Sequence, residues 1–254
     1  MKSPIKENIN RFKSLAVLKE LIPKGSVIDS YFLFSGELEF KLAEAERFVI
    51  GHTNKYVVYE FWKCALEDPV KIEAMARYLY PIGTSEAFHT FQAQWHTYKD
   101  EYARSALFFL LNRCSESGWI SAGRFNDENL NPIAFSYLKK FSPKNFFLTF
   151  DDSPTLIETL PQGSPQSDYR LFPIGQFNYN LLEYGRNTGL EMTRVYHKRF
   201  REALEEVKDK WIVLYKYHPQ AHTLYKDCNI RMIDKYGRET QEKEQCEEMI
   251  IANF

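Results

Sequence analysis

The chain has 254 residues, enough for one domain or for one domain carrying a sizeable insertion. Hydrophobic residues make up 44% and aromatics 16%, which supplies a large core, and no run approaches the roughly 18 consecutive apolar residues of a membrane helix. With 33 basic against 34 acidic side chains, the balance excludes a surface that coats polyanions generally and leaves nucleic-acid binding to a local patch.

The first residues, Met1-Lys2-Ser3-Pro4-Ile5-Lys6, lack the apolar core of a signal peptide. Cys64, Cys114, Cys228 and Cys246 form no Cys-x-x-Cys pair, so a cytoplasmic protein with free thiols is expected. Residues 8–22 place Ile9, Phe12, Leu15, Ala16, Leu18 and Leu21 on one side of a helix that Pro23-Lys24-Gly25 ends. Residues 26–29 read as a short strand into a turn, 37–45 as a helix and 47–51 as a second strand. Helical spacing returns over 55–64 and 70–80, separated by Asp68-Pro69. Residues 84–112 predict two helices, the first capped by Thr84 or Ser85 with Glu86 in its first turn. Residues 113–131 have no periodicity and read as loop or hairpin. A strand over 146–150, an exposed loop over 161–167, a helix over 193–207 and a buried strand over 211–215 follow. Residues 230–233 and 249–252 are two further strands.

Short apolar strands alternating with helices predict an α/β fold with a mainly parallel sheet covered on both faces. The helical, loop-rich block interrupts that alternation. Residues 1–83 and 141–254 are therefore expected to form the α/β domain, and 84–140 an inserted helical subdomain.

Several strings recur in a meaningful order. Arg11-Phe12-Lys13-Ser14-Leu15 precedes a helix; Val27-Ile28-Asp29-Ser30-Tyr31-Phe32 leads to Gly36; Phe48-Val49-Ile50-Gly51-His52-Thr53-Asn54 ends a strand. Leu107-Phe108-Phe109-Leu110-Leu111-Asn112-Arg113 closes an apolar helix, and Gly118 and Gly123-Arg124-Phe125-Asn126 come after it. The chain closes on Glu247-Glu248-Met249-Ile250-Ile251-Ala252-Asn253-Phe254. Across nearly the whole length these segments resemble the alpha class of Dam-like adenine-N6 DNA methyltransferases. The resemblance implies a Rossmann-like methyltransferase sheet with an inserted helical target-recognition subdomain. It also implies that Lys13, Asn112, Arg113, Arg124 and Asn126 face DNA; the competing reading of these residues is capping and turn chemistry.

The same resemblance exposes what is missing. Adenine methylation needs a glycine-rich turn that lets the backbone approach S-adenosylmethionine. Here the turn is Ser30-Tyr31-Phe32-Leu33-Phe34-Ser35-Gly36, with bulky rings before its one glycine. The acidic residue that accepts from the ribose hydroxyls is replaced by His52, whose neutral ring could accept one bond. The family's Asp-Pro-Pro-Tyr falls on Phe172-Pro173-Ile174-Gly175, which offers neither an acceptor for the adenine amino group nor a ring to stack on a flipped base. Asp151-Asp152-Ser153-Pro154 is the one other place for such a motif and lies too early in the chain. What survives of the cofactor cleft is Asp29, Gly36 and His52, and no cofactor is expected unless that cleft stays open to S-adenosylmethionine.

Other constellations read as structural. His218 and His222 have helical spacing, but Pro219 suits the first turn of a helix and no glutamate stands between the histidines, so no metal site is expected. Cys114 with His96 could be written as a nucleophile pair, but a thiol after an apolar helix is packing. The expectation is a pseudoenzyme: a catalytically inactive Dam-like homologue that binds nucleic acid or serves as the noncatalytic subunit of a DNA-modification or defence complex. Its partners would be DNA and a catalytic methyltransferase or other protein, with no membrane. The alternatives are an active adenine-N6 methyltransferase with a divergent motif, and a pure protein-interaction scaffold.

Overall fold

The computed structural model describes residues 1–7, 12–79, 84–121, 123–151, 166–177, 180–184 and 190–254, and of 180–184 and 190–194 the backbone alone. In chain order, helix α1 (Leu15–Leu21), strand β1 (Val27–Ser30), α2 (Glu37–Glu44) and β2 (Phe48–Thr53) come first. Five helices follow: α3 (Tyr56–Glu67), α4 (Pro69–Leu79), α5 (Ser85–Gln94), α6 (Glu101–Arg113) and α7 (Pro132–Lys139). The chain then runs through β3 (Phe146–Phe150), β4 (Tyr169–Gly175), β5 (Asn180–Tyr184), β6 (Leu190–Arg194), α8 (His197–Glu205), β7 (Lys210–Lys216) and α9 (Pro219–Leu224). Strands β8 (Asn229–Asp234), β9 (Glu239–Thr240) and β10 (Cys246–Ala252) end it.

This is a mixed α/β fold. Eight strands form one sheet in the order β3-β2-β1-β4-β7-β10-β8-β9. Every pairing from β3 to β7 is parallel, and β10 then runs antiparallel to both β7 and β8. Contacts divide the chain into two compact units. The sheet belongs to the unit made of Ile9–Asn54, Lys144–Asn180 and Arg194–Phe254; the helical unit comprises Met1–Asn8, Lys55–Pro143 and Leu181–Thr193.

Within the sheet unit both faces of the sheet carry helices, as continuous apolar strands require. On one face α2 sends Phe40 edge-on against Phe146, with ring centroids 4.9 Å apart, and Glu39 accepts from the Ser30 hydroxyl at 2.8 Å. On the other, Phe200 and Leu204 of α8 and Ala221 of α9 join Phe172, Val213, Tyr215, Met249 and Ile251 in one core. Arg47 is buried and donates to the carbonyls of Lys19, Ile22 and Ala45, so one guanidinium satisfies the carboxyl ends of both α1 and α2. Glu248 of β10 is equally buried and accepts from the Lys13 and Ser14 amides at the start of α1 and from Lys216 Nζ at 2.6 Å.

Within the helical unit α6 is central. Its Leu107-Phe108-Phe109-Leu110-Leu111 run is wholly buried, with Phe61 of α3 stacked on Phe108 at 4.9 Å. Thr84 caps α5 through a bond from the Ala87 amide, and Asp100 caps α6 through one from Ala103. The buried Glu60 carboxylate of α3 is met by the Arg104 guanidinium of α6 through both oxygens.

Two boundaries differ from expectation. By contacts, residues 55–83 group with the helices that follow them and not with the sheet. The helix expected from residue 193 starts at His197, because Leu190–Arg194 is a strand paired with β5 in a separate two-stranded sheet. The short α7, capped by Asn131 with Pro132 at its first turn, follows the 113–131 stretch expected as loop or hairpin. The first residues of the helix expected over 8–22 and most of the loop over 161–167 lie outside the described residues.

Candidate functional site

The order of strand addition reverses between β1 and β4. In open α/β sheets ligands bind in the crevice beyond the carboxyl ends of the strands at such a switch point. In this chain aromatic side chains meet beside it. Tyr31, the first residue after β1, lies flat between His52 at the end of β2 and Phe172 of β4. Ring centroids are 4.7 Å apart with planes at 17° on the His52 side, and 4.8 Å apart at 11° on the Phe172 side. Phe200 closes the stack edge-on against Phe172 at 5.2 Å. Tyr31 is completely buried, yet its hydroxyl has no hydrogen-bond partner among the described residues. Burial, and after it the nearby Asp29 charge, hold the phenol above its ordinary pKa. The next residue, Phe32, has φ 60°, a left-handed backbone that costs a non-glycine residue of order 1 kcal/mol or more. The turn after β1 is therefore built around a buried ring.

His52 is the second feature. Its Nε2 meets Asp29 Oδ1 at 2.9 Å and its Nδ1 meets Asp151 Oδ2 at 3.0 Å, which ties β1, β2 and the residue after β3 together. Burial opposes charging the ring, but hydrogen bonds to the two carboxylates and their charges outweigh it and raise the pKa to about 9. At neutral pH both ring nitrogens donate to carboxylates. The ring has no lone pair left for a ribose hydroxyl, which corrects the expectation that it could accept such a bond. Asp29 is fully buried and committed to this bridge, and Asp151 lends one carboxylate oxygen to it. Asp152, the other half of that candidate motif, lies outside the described residues.

Gly36 opens α2 with φ 65°, and a Cβ there would come within 2.5 Å of the Phe40 ring. Its lack of a side chain serves the packing of this helix. Phe172-Pro173-Ile174-Gly175 lies inside β4 and all four residues are buried. Phe172 and Ile174 point into the core shared with α8. Pro173, which cannot donate to a central ladder, is tolerated because the register with β7 slips between Pro173 and Gly175, and Gly175 takes φ 79°. Just beyond it Phe177 is sandwiched between His197 at 3.9 Å and His218 at 4.6 Å, and the Tyr215 hydroxyl is 2.8 Å from His197 Nδ1. No spacing in the sequence announces this second stack, since its members come from three separate segments.

The five residues expected to face DNA divide differently. Asn112 is completely buried; its carboxamide accepts from the Lys6 amide and donates to the Lys6 and Gly118 carbonyls. That removes it from a surface role. Arg113 donates to the Ser3 and Pro4 carbonyls. Arg124 is exposed on a hairpin whose arms meet at the Ser115–Phe125 bridge. Asn126 accepts from the Glu128 amide at 2.9 Å, a turn role. These four lie in the helical unit, whereas Lys13 lies in the sheet unit with its ammonium paired to Glu247 at 2.7 Å.

The remaining candidates are structural. His218 accepts from the Gln220 amide at the start of α9, and no metal-binding group of three or more His, Cys, Asp or Glu exists among the described residues. Burial pushes the Cys114 thiol up to about 12, which leaves it a poor nucleophile at neutral pH. A cavity of about 380 Å³ opens beside Arg201, Trp211, Asp227 and Cys228, away from the switch point. Its arginine is already paired with Glu205. No helix among the described residues is long and apolar enough to cross a membrane. Neither a protein-family model nor a curated protein matches the chain.

Proposed function

We propose that the chain is a catalytically inactive relative of the Dam-like adenine-N6 DNA methyltransferases, acting as a nucleic-acid-binding or noncatalytic subunit of a DNA-modification complex. One observation carries this reading: the Tyr31 ring, packed between His52 and Phe172, stands beside the switch-point crevice where a dinucleotide-type ligand would lie. Three further facts support it. The parallel strands follow the doubly wound order expected of a Rossmann-like sheet. The position of the family's catalytic Asp holds Phe172, a core ring without an acceptor. Arg124 remains exposed on its hairpin.

The test has two arms. Calorimetric titration with S-adenosylhomocysteine should give no saturable heat, and micromolar binding would return the enzyme reading. A labelled DNA duplex at low salt should bind, and Arg124→Ala with Lys13→Ala should weaken it by roughly tenfold, the loss of one to two phosphate contacts. DNA binding indifferent to both substitutions would sink the nucleic-acid half. A protein-interaction scaffold is the second reading, favoured by Phe147 of the edge strand β3 and Phe48 at the start of the adjacent β2, which are 57% and 42% exposed. Failure to bind any DNA, together with a stable protein partner in pull-down, would decide for it.

A further inference from the structure

Residues 1–7 take no helical or strand structure, yet Ser3, Pro4 and Ile5 are buried. Their backbone is held by two side chains at the end of α6. Arg113 Nε donates to the Pro4 carbonyl at 2.6 Å and Nη2 to the Ser3 carbonyl at 3.2 Å. Asn112 accepts from the Lys6 amide at 2.6 Å and returns a bond to the Lys6 carbonyl at 2.9 Å, as a neighbouring strand would. Gly118, at φ 84°, forms the floor, since a Cβ there would stand 2.4 Å from the Lys6 carbonyl oxygen. Lys2 lies 5.7 Å over the Tyr137 ring.

This is how a domain reads an extended peptide: side chains answer the backbone, and a buried aliphatic residue supplies the anchor. No helix or sheet ladder is broken if the segment leaves. We infer that the helical unit carries an extended-peptide groove, filled in cis by Ser3–Lys6, that also takes a partner protein's extended segment of the pattern small–proline–aliphatic–any residue. The groove is donor-rich because its natural occupant presents carbonyls, and Ile5, 3% exposed, marks its apolar pocket. This inference is independent of the DNA reading and survives its failure.

The test uses the full chain with Ile5→Asp, since a carboxylate will not stay in that pocket and the segment is expelled. A fluorescent peptide spanning Met1–Glu7 should bind this variant saturably, should bind the wild type at least about tenfold more weakly because the groove is full, and should lose about tenfold or more when Arg113→Ala is added. A folded Ile5→Asp protein that ignores the peptide, or equal binding to both proteins, overturns the inference. Should Ile5→Asp fail to fold, hydrogen exchange of the wild type decides. The Lys6 amide exchanging about a hundredfold faster than the amides of α6 supports a segment that opens locally, and exchange in step with α6 overturns it.

Discussion

At the scale of single residues, the switch point holds two devices of opposite polarity. Tyr31 buries a full ring but leaves its hydroxyl unpartnered among the described residues, so the ring stabilises and the oxygen costs. Tyr31→Phe should therefore raise stability by about 1 kcal/mol, whereas Tyr31→Ala, which empties the slot between His52 and Phe172, should lower it by about 3–5 kcal/mol. Urea unfolding of the two variants checks both signs, and a destabilised Tyr31→Phe would mean that the hydroxyl has a partner after all. His52 works through charge. Its folded pKa is about 9 against an unfolded value of about 6.5. The folded state thus holds the proton more tightly, and the stabilisation is complete below about pH 6.5 and is lost as the pH rises towards 9. The amount is roughly 3 kcal/mol. Melting temperature should fall over that window in the wild type and stay flatter in His52→Gln, which should also be less stable at pH 6 because the buried Asp29 then loses the His52 cation.

Secondary-structure elements are held here as much by single buried side chains as by their own propensities. Helix α1 is seven residues long, with no hydrogen-bonding side chain at its Ser14 cap and no acidic residue in its first turn. Glu248 from β10 supplies the missing acceptor, far away in sequence, and its charge favours the positive end of the helix. Glu248→Gln keeps the shape, removes the charge and turns one acceptor into a donor facing the Lys13 and Ser14 amides. It should cost about 1–3 kcal/mol and speed hydrogen exchange in α1 before the rest of the sheet unit. A local cap was legible in the sequence at Thr84, which precedes an apolar-periodic run; Asp100 and Asn131 do the same work at α6 and α7. The strands β5 and β6 were not legible, because residues 180–194 mix apolar, polar and glycine residues without a period of two.

Considered whole, the molecule is nearly neutral, and several of its cations sit beside carboxylates. Lys13 pairs with Glu247, Lys216 with Glu248, Arg170 with Asp209 and Arg231 with Glu239. Any DNA complex should therefore show a shallow salt dependence, with a slope of log affinity on log salt of about −1 to −2. A much steeper slope, measured by anisotropy from low to physiological salt, would overturn this and require an extended basic surface. The sequence by itself determined the α/β class, the position of β1, β2, β3 and β7, and that Phe172-Pro173-Ile174-Gly175 carries neither a carboxylate nor a phenol. Those follow from local periodicity and from the chemistry each residue type can offer. Tertiary structure alone decided that Tyr31 stacks between His52 and Phe172, that His52 is a charged donor between two carboxylates, and that Asn112 and Arg113 grip residues 3–6. Each depends on which segments meet across 20 to more than 100 positions of chain, and a backbone carbonyl that accepts a side-chain bond leaves no mark in the sequence.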